Sequence, residues 1–263
     1  MSTSTAVKAV LARDRVIVLA GLACVVAFGW VYLLYLAQGM SGMAMGDAMG
    51  AAKAEPWTAG DFTAMVVMWA VMMVAMMLPS AAPMILMFST ISRKHRADGR
   101  HFPPVGIFAL GYVLAWTGFS LAATLLQWGL QSLALMSPMM KTTSPVIGGA
   151  LFAVAGIYQF TPLKHVCLRH CRSPLGFLLT RWRDGHRGAL IMGFEHGAFC
   201  LGCCWALMIV LFAVGVMNLF WVAAIAVFVL IEKLVPGGET VARMAGICLI
   251  AAGACLAFGV LPV

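Results

Sequence analysis

The chain has 263 residues, of which 63% are hydrophobic and only 10% are charged. Soluble domains are about half apolar and about a quarter charged, so this composition excludes an ordinary soluble domain and an intrinsically disordered chain. The net charge of +8 lies in short segments between long apolar runs. We therefore attribute it to membrane topology and expect no nucleic-acid partner.

Seven apolar segments predict an all-α, polytopic transmembrane helix bundle. They cover residues 16–37, 62–91, 105–128, 145–160, 188–216, 219–234 and 241–261. Each bridges most of a core of about 30 Å, but the fourth and sixth are short, which leaves six spans as the alternative. The first segment is too long for a cleaved signal peptide, so we expect it to be retained. We divide the chain into residues 1–61, the first span with a Met-rich outer loop, and residues 62–263, a six-helix metal-binding domain.

The basic residues predict the orientation. With the N-terminus inside, every Lys and Arg except Lys53 and Lys141 lies on the inner side. This asymmetry predicts a multi-pass membrane protein, surrounded by lipid, with its C-terminus outside. The eight cysteines fall within spans or on the reducing inner face, so no disulfide framework is expected.

The segment that follows the first span is rich in methionine. It carries Met40, Met43, Met45 and Met49. Thioethers select Cu(I) among biological metals, so this segment predicts a flexible outer loop that captures copper. A linker with no function is the alternative.

A second group of methionines forms a stripe on one face of the second segment. Spacings of three and four residues relate its members, Met65, Met68, Met72 and Met76. Met68, Met72 and Met76 are candidate Cu(I) ligands, and apolar packing is the alternative. Pro79 and Pro83 follow, and such breaks either line a cavity or form a plain kink.

The connection between the fourth and fifth segments holds a candidate inner metal site. Its ligands would be His165, Cys167, His170 and Cys171. The alternative is a basic topology loop with incidental cysteines.

The fifth segment has the densest set of candidate ligands. His196, Cys200 and either Cys203 or Cys204 share one helix face, and thiolate with imidazole forms a site for Cu(I) or Zn(II). We favour copper over zinc because of the methionines. The alternative is close helix packing through small residues. Depth arithmetic places Cys203 level with Met68 and Met72, so the two helices could share one ion if they are neighbours.

Three charged residues fall at membrane depth in the fifth and sixth segments. They are Glu195, Glu232 and Lys233. Unpaired charges are costly there, so we expect pairs, either Glu195 with Lys233 or His196 with Glu232. Such a pair would fix the helix register or relay a proton or an ion.

Several stretches together resemble one bacterial family. They are 69–83 (WAVMMVAMMLPSAAP), 158–164 (YQFTPLK) with 171–174 (CRSP), 200–208 (CLGCCWALM) and the pair Glu232-Lys233. The family is that of the predicted metal-binding integral membrane proteins, a domain of unknown function, and the resemblance covers roughly residues 60–260. It implies metal binding within a membrane domain and, because the family is bacterial, a location in the inner membrane of a bacterium.

Three functional hypotheses remain open. The first is copper handling or transport, with capture outside, ligands at mid-membrane and exchange with a metallochaperone or a membrane complex. No ATP-binding motif is visible, and we do not expect an enzyme. The second is thiol redox chemistry by Cys200 and Cys203, which form a C-x-x-C pair. The third is an accessory subunit of a membrane complex.

Overall fold

The computed structural model describes residues 3–47, 57–97, 103–136, 140, 142 and 144–259. These residues form a helix bundle without β-strands, which confirms the all-α prediction. The helices are α1 (Thr3–Asp47), α2 (Ala59–Ala97), α3 (Val105–Ser132), α4 (Pro145–Tyr158), α5 (Pro162–Arg172), α6 (Pro174–Arg181), α7 (Gly185–Ile209), α8 (Leu211–Val214), α9 (Leu219–Leu234) and α10 (Gly238–Ala257).

Five of the described helical segments are long and apolar enough to cross a membrane. They are Arg15–Gly39, Ala59–Arg93, Val105–Ser132, Gly185–Val214 and Gly238–Ala257. Helices α4 and α5 meet at 64° and would form a sixth, broken span if counted together. Helix α9 has 16 residues, or about 24 Å, which is short of the apolar core. Length and composition therefore support five spans, or six as in the predicted alternative, instead of seven.

The connection predicted as an inner loop is instead helical. Thr161 caps α5 by accepting a hydrogen bond from the backbone N–H of Lys164, and Pro162 occupies the first turn. This is the usual start of a helix, because proline loses no hydrogen bond there and the cap satisfies a free donor. Ser173 and Pro174 begin α6 in the same sequence order.

The outer segment also differs from the prediction of a flexible loop. Helix α1 continues to Asp47, so Met40, Met43 and Met45 lie on a helix. Their side chains, and the whole of Met49, lie outside the described residues.

Helices α3 and α7 pack with their backbones almost in contact. A Cβ atom on Gly193 would lie 2.0 Å from the carbonyl oxygen of Phe108, and one on Gly111 would lie 2.1 Å from that of Leu190. Only glycine fits at such contacts, so the small residues of α7 do serve close packing. This contact fixes the helix that carries the candidate cysteines against α3.

Helix α2 runs through both prolines and packs on α1, α3 and α9. Its methionines fill the centre of the bundle, where Met72 and Met73 are fully buried. Helix α5 packs on α7 from the other side. The described core thus brings α2, α3, α5 and α9 around the middle of α7.

Candidate metal site

The cysteines of α7 lie at the centre of the bundle. Cys200, Cys203 and Cys204 have no solvent-accessible surface. The thiols of Cys203 and Cys204 each donate a hydrogen bond of 3.0 Å to the backbone oxygen of Cys200. The three side chains therefore gather within one helical turn, as their spacing predicts.

Helix α5 adds further thiols to this group. The side chain of Cys171 interacts with the thiols of both Cys200 and Cys203. Cys167, one turn earlier, is buried against Gly202 of α7. We call Cys171, Cys200, Cys203 and Cys204 the thiol cluster. Two sets of residues that the sequence placed in separate sites therefore contribute to one group.

Two polar side chains from other helices converge on Cys200. The ammonium group of Lys233 on α9 lies 2.8 Å from the Cys200 sulfur and donates a second hydrogen bond, of 3.0 Å, to Ser80 of α2. The hydroxyl of Tyr112 on α3 lies 3.1 Å from the same sulfur and 3.1 Å from the backbone oxygen of Met77. Cys200 is thus the member of the thiol cluster that the ammonium group contacts directly.

A thioether reaches the thiol cluster from α2. The sulfur of Met77 lies 3.8 Å from that of Cys204. This contact corrects the depth arithmetic, since Met77 and not Met68 or Met72 is level with these cysteines. The difference is five residues or more, or at least about 7 Å. Met68, Met72 and Met76 are buried in the core, and their role as ligands stays a prediction.

His196 lies one turn before Cys200 in an aromatic surround. Its ring packs on those of Phe108, Tyr112 and Phe177, with centroid distances of 6.2, 5.8 and 5.6 Å. The side chain is 2% exposed, and its Nδ1 atom has no hydrogen-bond partner. An unpartnered ring nitrogen at this depth is available to a ligand, which keeps His196 a candidate.

The two histidines of α5 differ from its cysteines. His170 stacks on Phe199 of α7 with a centroid distance of 4.2 Å, and its Nδ1 atom is 2.9 Å from the backbone oxygen of Val166. The Nδ1 atom of His165 is buried without a hydrogen-bond partner. The structure therefore does not gather His165, Cys167, His170 and Cys171 into one site.

Neither of the predicted ion pairs is formed. Glu195 lies 3.3 Å from Arg181 and 3.0 Å from Arg183, instead of pairing with Lys233. Glu232 pairs with Lys164 at 2.5 Å, not with His196. Consecutive helical residues point in different directions, so Glu232 faces α5 while Lys233 faces α7 and α2.

This arrangement offers soft donors without forming a completed chelate. All eight cysteines are free. Across the described ranges, no group of three or more His, Cys, Asp and Glu side chains is arranged to hold a metal ion. Thiols and a thioether are nonetheless the donors that Cu(I) prefers, and thiolates also bind zinc. A bound ion would have to draw these sulfur atoms closer together.

Sequence reasoning missed Tyr112, Met77 and Ser80 at the site and Lys164 as the partner of Glu232. Tyr112 lies on an apolar helix, Met77 lies beside the predicted stripe, and Lys164 lies in the presumed loop. The Thr161-Pro162 pair could have indicated the start of α5. A helix there would have indicated that Lys164 and Cys171 lie on its inward face. No local signal distinguishes Met77 from its neighbours.

Comparison with known proteins identifies the family. No curated protein and no solved structure matches the chain. Residues 66–256 match the family PpoB2, which is described as "Copper chaperone". This match covers most of the chain and includes every helix that contributes to the thiol cluster. The chain therefore belongs to the PpoB2 copper chaperone family.

Proposed function

We propose that this protein is a membrane-embedded chaperone that holds Cu(I) as cargo at the thiol cluster. The observation that carries the proposal is the meeting of thiols from α5 and α7 with the thioether of Met77 inside an apolar bundle. Soft sulfur donors select Cu(I), whereas hard cations prefer oxygen ligands. The family's description supports the same cargo.

The incomplete geometry of the cluster agrees with a chaperone. A site that releases its ion must not hold the ion too tightly, and sulfur donors on separate helices allow ligands to be exchanged in steps. In this proposal His196 supplies a further donor one turn from Cys200. Met68, Met72 and Met76 extend the path toward the outer side, where Met40, Met43, Met45 and Met49 capture the ion.

The cellular setting is part of the proposal. The five long apolar helices support a multi-pass membrane protein. We place it in a bacterial inner membrane, with the N-terminus inside and with lipid around the bundle. Transfer then occurs to or from a metallochaperone or a membrane complex. The chain binds and passes on an ion, so we do not assign it an enzymatic reaction.

The test is copper loading of the purified full-length chain. The protein, in detergent and without oxygen, is titrated with Cu(I) in competition with a chromogenic Cu(I) chelator, and bound metal is counted by mass spectrometry. The cluster variant is Cys200→Ser with Cys203→Ser. The matched control is Cys248→Ser with Cys255→Ser, because these cysteines lie on α10, away from the cluster.

We expect the wild type and the control to retain near-stoichiometric copper and the cluster variant to lose it. Retention of copper by a folded cluster variant would remove the proposal. Equal loss from the control would also contradict it, since binding would then not depend on the thiol cluster.

The redox hypothesis predicts a different result with the same protein. Cys200 has a cationic neighbour, which also suits a reactive thiol. A redox protein would cycle between free thiols and a Cys200–Cys203 disulfide. Thiol trapping in membranes, followed by mass spectrometry, would reveal that disulfide, whereas the chaperone proposal predicts reduced thiols.

A further inference from the structure

Lys233 is a buried cation that forms no ion pair with a carboxylate of the described residues. Its side chain is 6% exposed, and its hydrogen bonds go to Ser80 and to the sulfur of Cys200. Among the described residues, none of its ion-pairing contacts is with Asp or Glu, because Glu232 pairs with Lys164 and Glu195 with two arginines. Buried charges require compensation. Glu232 acts on Lys233 electrostatically but forms its ion pair with Lys164, so the sulfur of Cys200 is the group that Lys233 contacts directly.

The geometry points to Lys233 as the charge-compensating residue that makes the thiol cluster selective for a monovalent ion, Cu(I), over Zn(II). This inference rests on the proposed function and adds the basis of selectivity. It concerns a lysine that contacts the sulfur of Cys200 and is not itself a metal ligand.

Charge counting gives the reason. Cu(I) bound by two thiolates carries a net charge of −1, which the ammonium of Lys233 neutralises. Zn(II) bound by the same two thiolates is already neutral, so Lys233 would leave an unbalanced positive charge. In the apolar interior such an imbalance costs far more than in water. Cys200 and either Cys171 or Cys203 are the two thiolates that these contacts favour.

The position of Lys233 agrees with this role. Ser80, which lies between Pro79 and Pro83 of α2, accepts a hydrogen bond from the ammonium group. The apolar stem of the lysine extends to this position from α9. The ammonium thus lies between two helices and against the one sulfur that Tyr112 also contacts. A cation held at 2.8 Å from a ligand atom would repel a metal ion unless the bound complex carried a net negative charge.

The experiment measures Cu(I) and Zn(II) affinities of the full-length chain by competition with a Cu(I) chelator and a Zn(II) dye. The variants are Lys233→Met and Lys233→Gln, which remove the charge, and Lys233→Arg, which keeps it. Lys233→Gln retains a donor for Ser80 and serves if Lys233→Met is not monodisperse. Glu239→Gln, at an exposed site on α10, is the control for loss of an unrelated charge.

We expect both neutral variants to lose Cu(I) affinity by about a hundredfold or more, as for removal of one partner of a buried charge pair. Their Zn(II) affinity should be unchanged or higher, so the Cu(I) to Zn(II) ratio falls. Lys233→Arg should preserve most of the ratio.

An unchanged ratio in a folded neutral variant would overturn the inference, because a merely structural lysine would affect both metals alike. Parallel loss of both metals would overturn it as well. If the wild type binds no Cu(I), the proposed function itself fails, and that outcome is distinct from failure of the selectivity argument.

Discussion

Removal of one partner of the Lys164–Glu232 pair should strongly destabilise the protein. Both side chains are completely buried, with Lys164 Nζ 2.5 Å from Glu232 Oε1 and also bonded to Gln159. Beyond this ion pair, neither carboxylate oxygen of Glu232 has a hydrogen-bond partner. The substitution Glu232→Gln leaves the Lys164 charge without a countercharge.

The size of this destabilisation follows from the distance between the two charges. Two unit charges 2.5 Å apart attract by about 7 kcal/mol at an effective dielectric constant of ~20, most of which offsets the desolvation of both groups. Loss of one partner from such a buried pair typically costs about 3–5 kcal/mol, because the remaining charge stays buried. We expect Glu232→Gln and Lys164→Met each to lower the free energy of unfolding by that amount.

The double variant Lys164→Met with Glu232→Gln tests the reasoning. It removes both charges, so it should be much more stable than the sum of the two single changes predicts. Unfolding is followed by circular dichroism in mixed micelles of increasing SDS fraction. Additive single effects would refute the assignment of a coupled pair.

A surface pair provides the control. Arg169 and Glu239 are 3.7 Å apart, with side chains 76% and 39% exposed. Exposed pairs contribute about 0–1 kcal/mol, so Glu239→Gln should change stability little. A loss comparable to that of Glu232→Gln would show that the assay does not distinguish buried from exposed charges.

Two further predictions concern the contacts around α3. Gly193→Ala should destabilise the bundle by about 1–3 kcal/mol, because its Cβ atom would overlap the carbonyl oxygen of Phe108. Gly118→Ala, with open space around it, should be neutral or slightly stabilising. SDS unfolding measures both variants, and equal stabilities would contradict the close packing. Tyr112→Phe removes a hydroxyl that donates to the Met77 oxygen. Because that oxygen also accepts a hydrogen bond from Ser80, the change should cost only about 0.5–1.5 kcal/mol in the same assay, and an unchanged stability would show that the Tyr112 bond contributes nothing.

The helical segments were predictable from the sequence because apolar runs of span length leave few other structures. Hydropathy does not report helix breaks, so α5 was assigned to a loop although Thr161 and Pro162 mark its start. The segment of helix α9 is apolar but short, which is why the sequence also allows six spans. For a short apolar run, length matters more than composition in determining whether it can cross a membrane.

The site was predictable only within single helices. The spacing of Cys200, Cys203 and Cys204 fixes their common turn, and the structure shows it. Contacts between helices depend on rotation, tilt and register, which depth arithmetic on straight, upright helices does not give. That is why Met77, and not Met68 or Met72, lies at the level of the cysteines. It is also why Lys233 contacts a sulfur instead of Glu195.

The glycine contact between α3 and α7 determines which helix can move when the bundle binds an ion. An added ion needs volume in a close-packed interior. Because the backbones of α3 and α7 are already in contact at Gly193, this side of the site is rigid. The opposite wall is α2, whose Met77 side chain is flexible and whose two prolines remove backbone hydrogen bonds. Expansion on loading is therefore directed toward α2, while the cysteine-bearing helix stays in place.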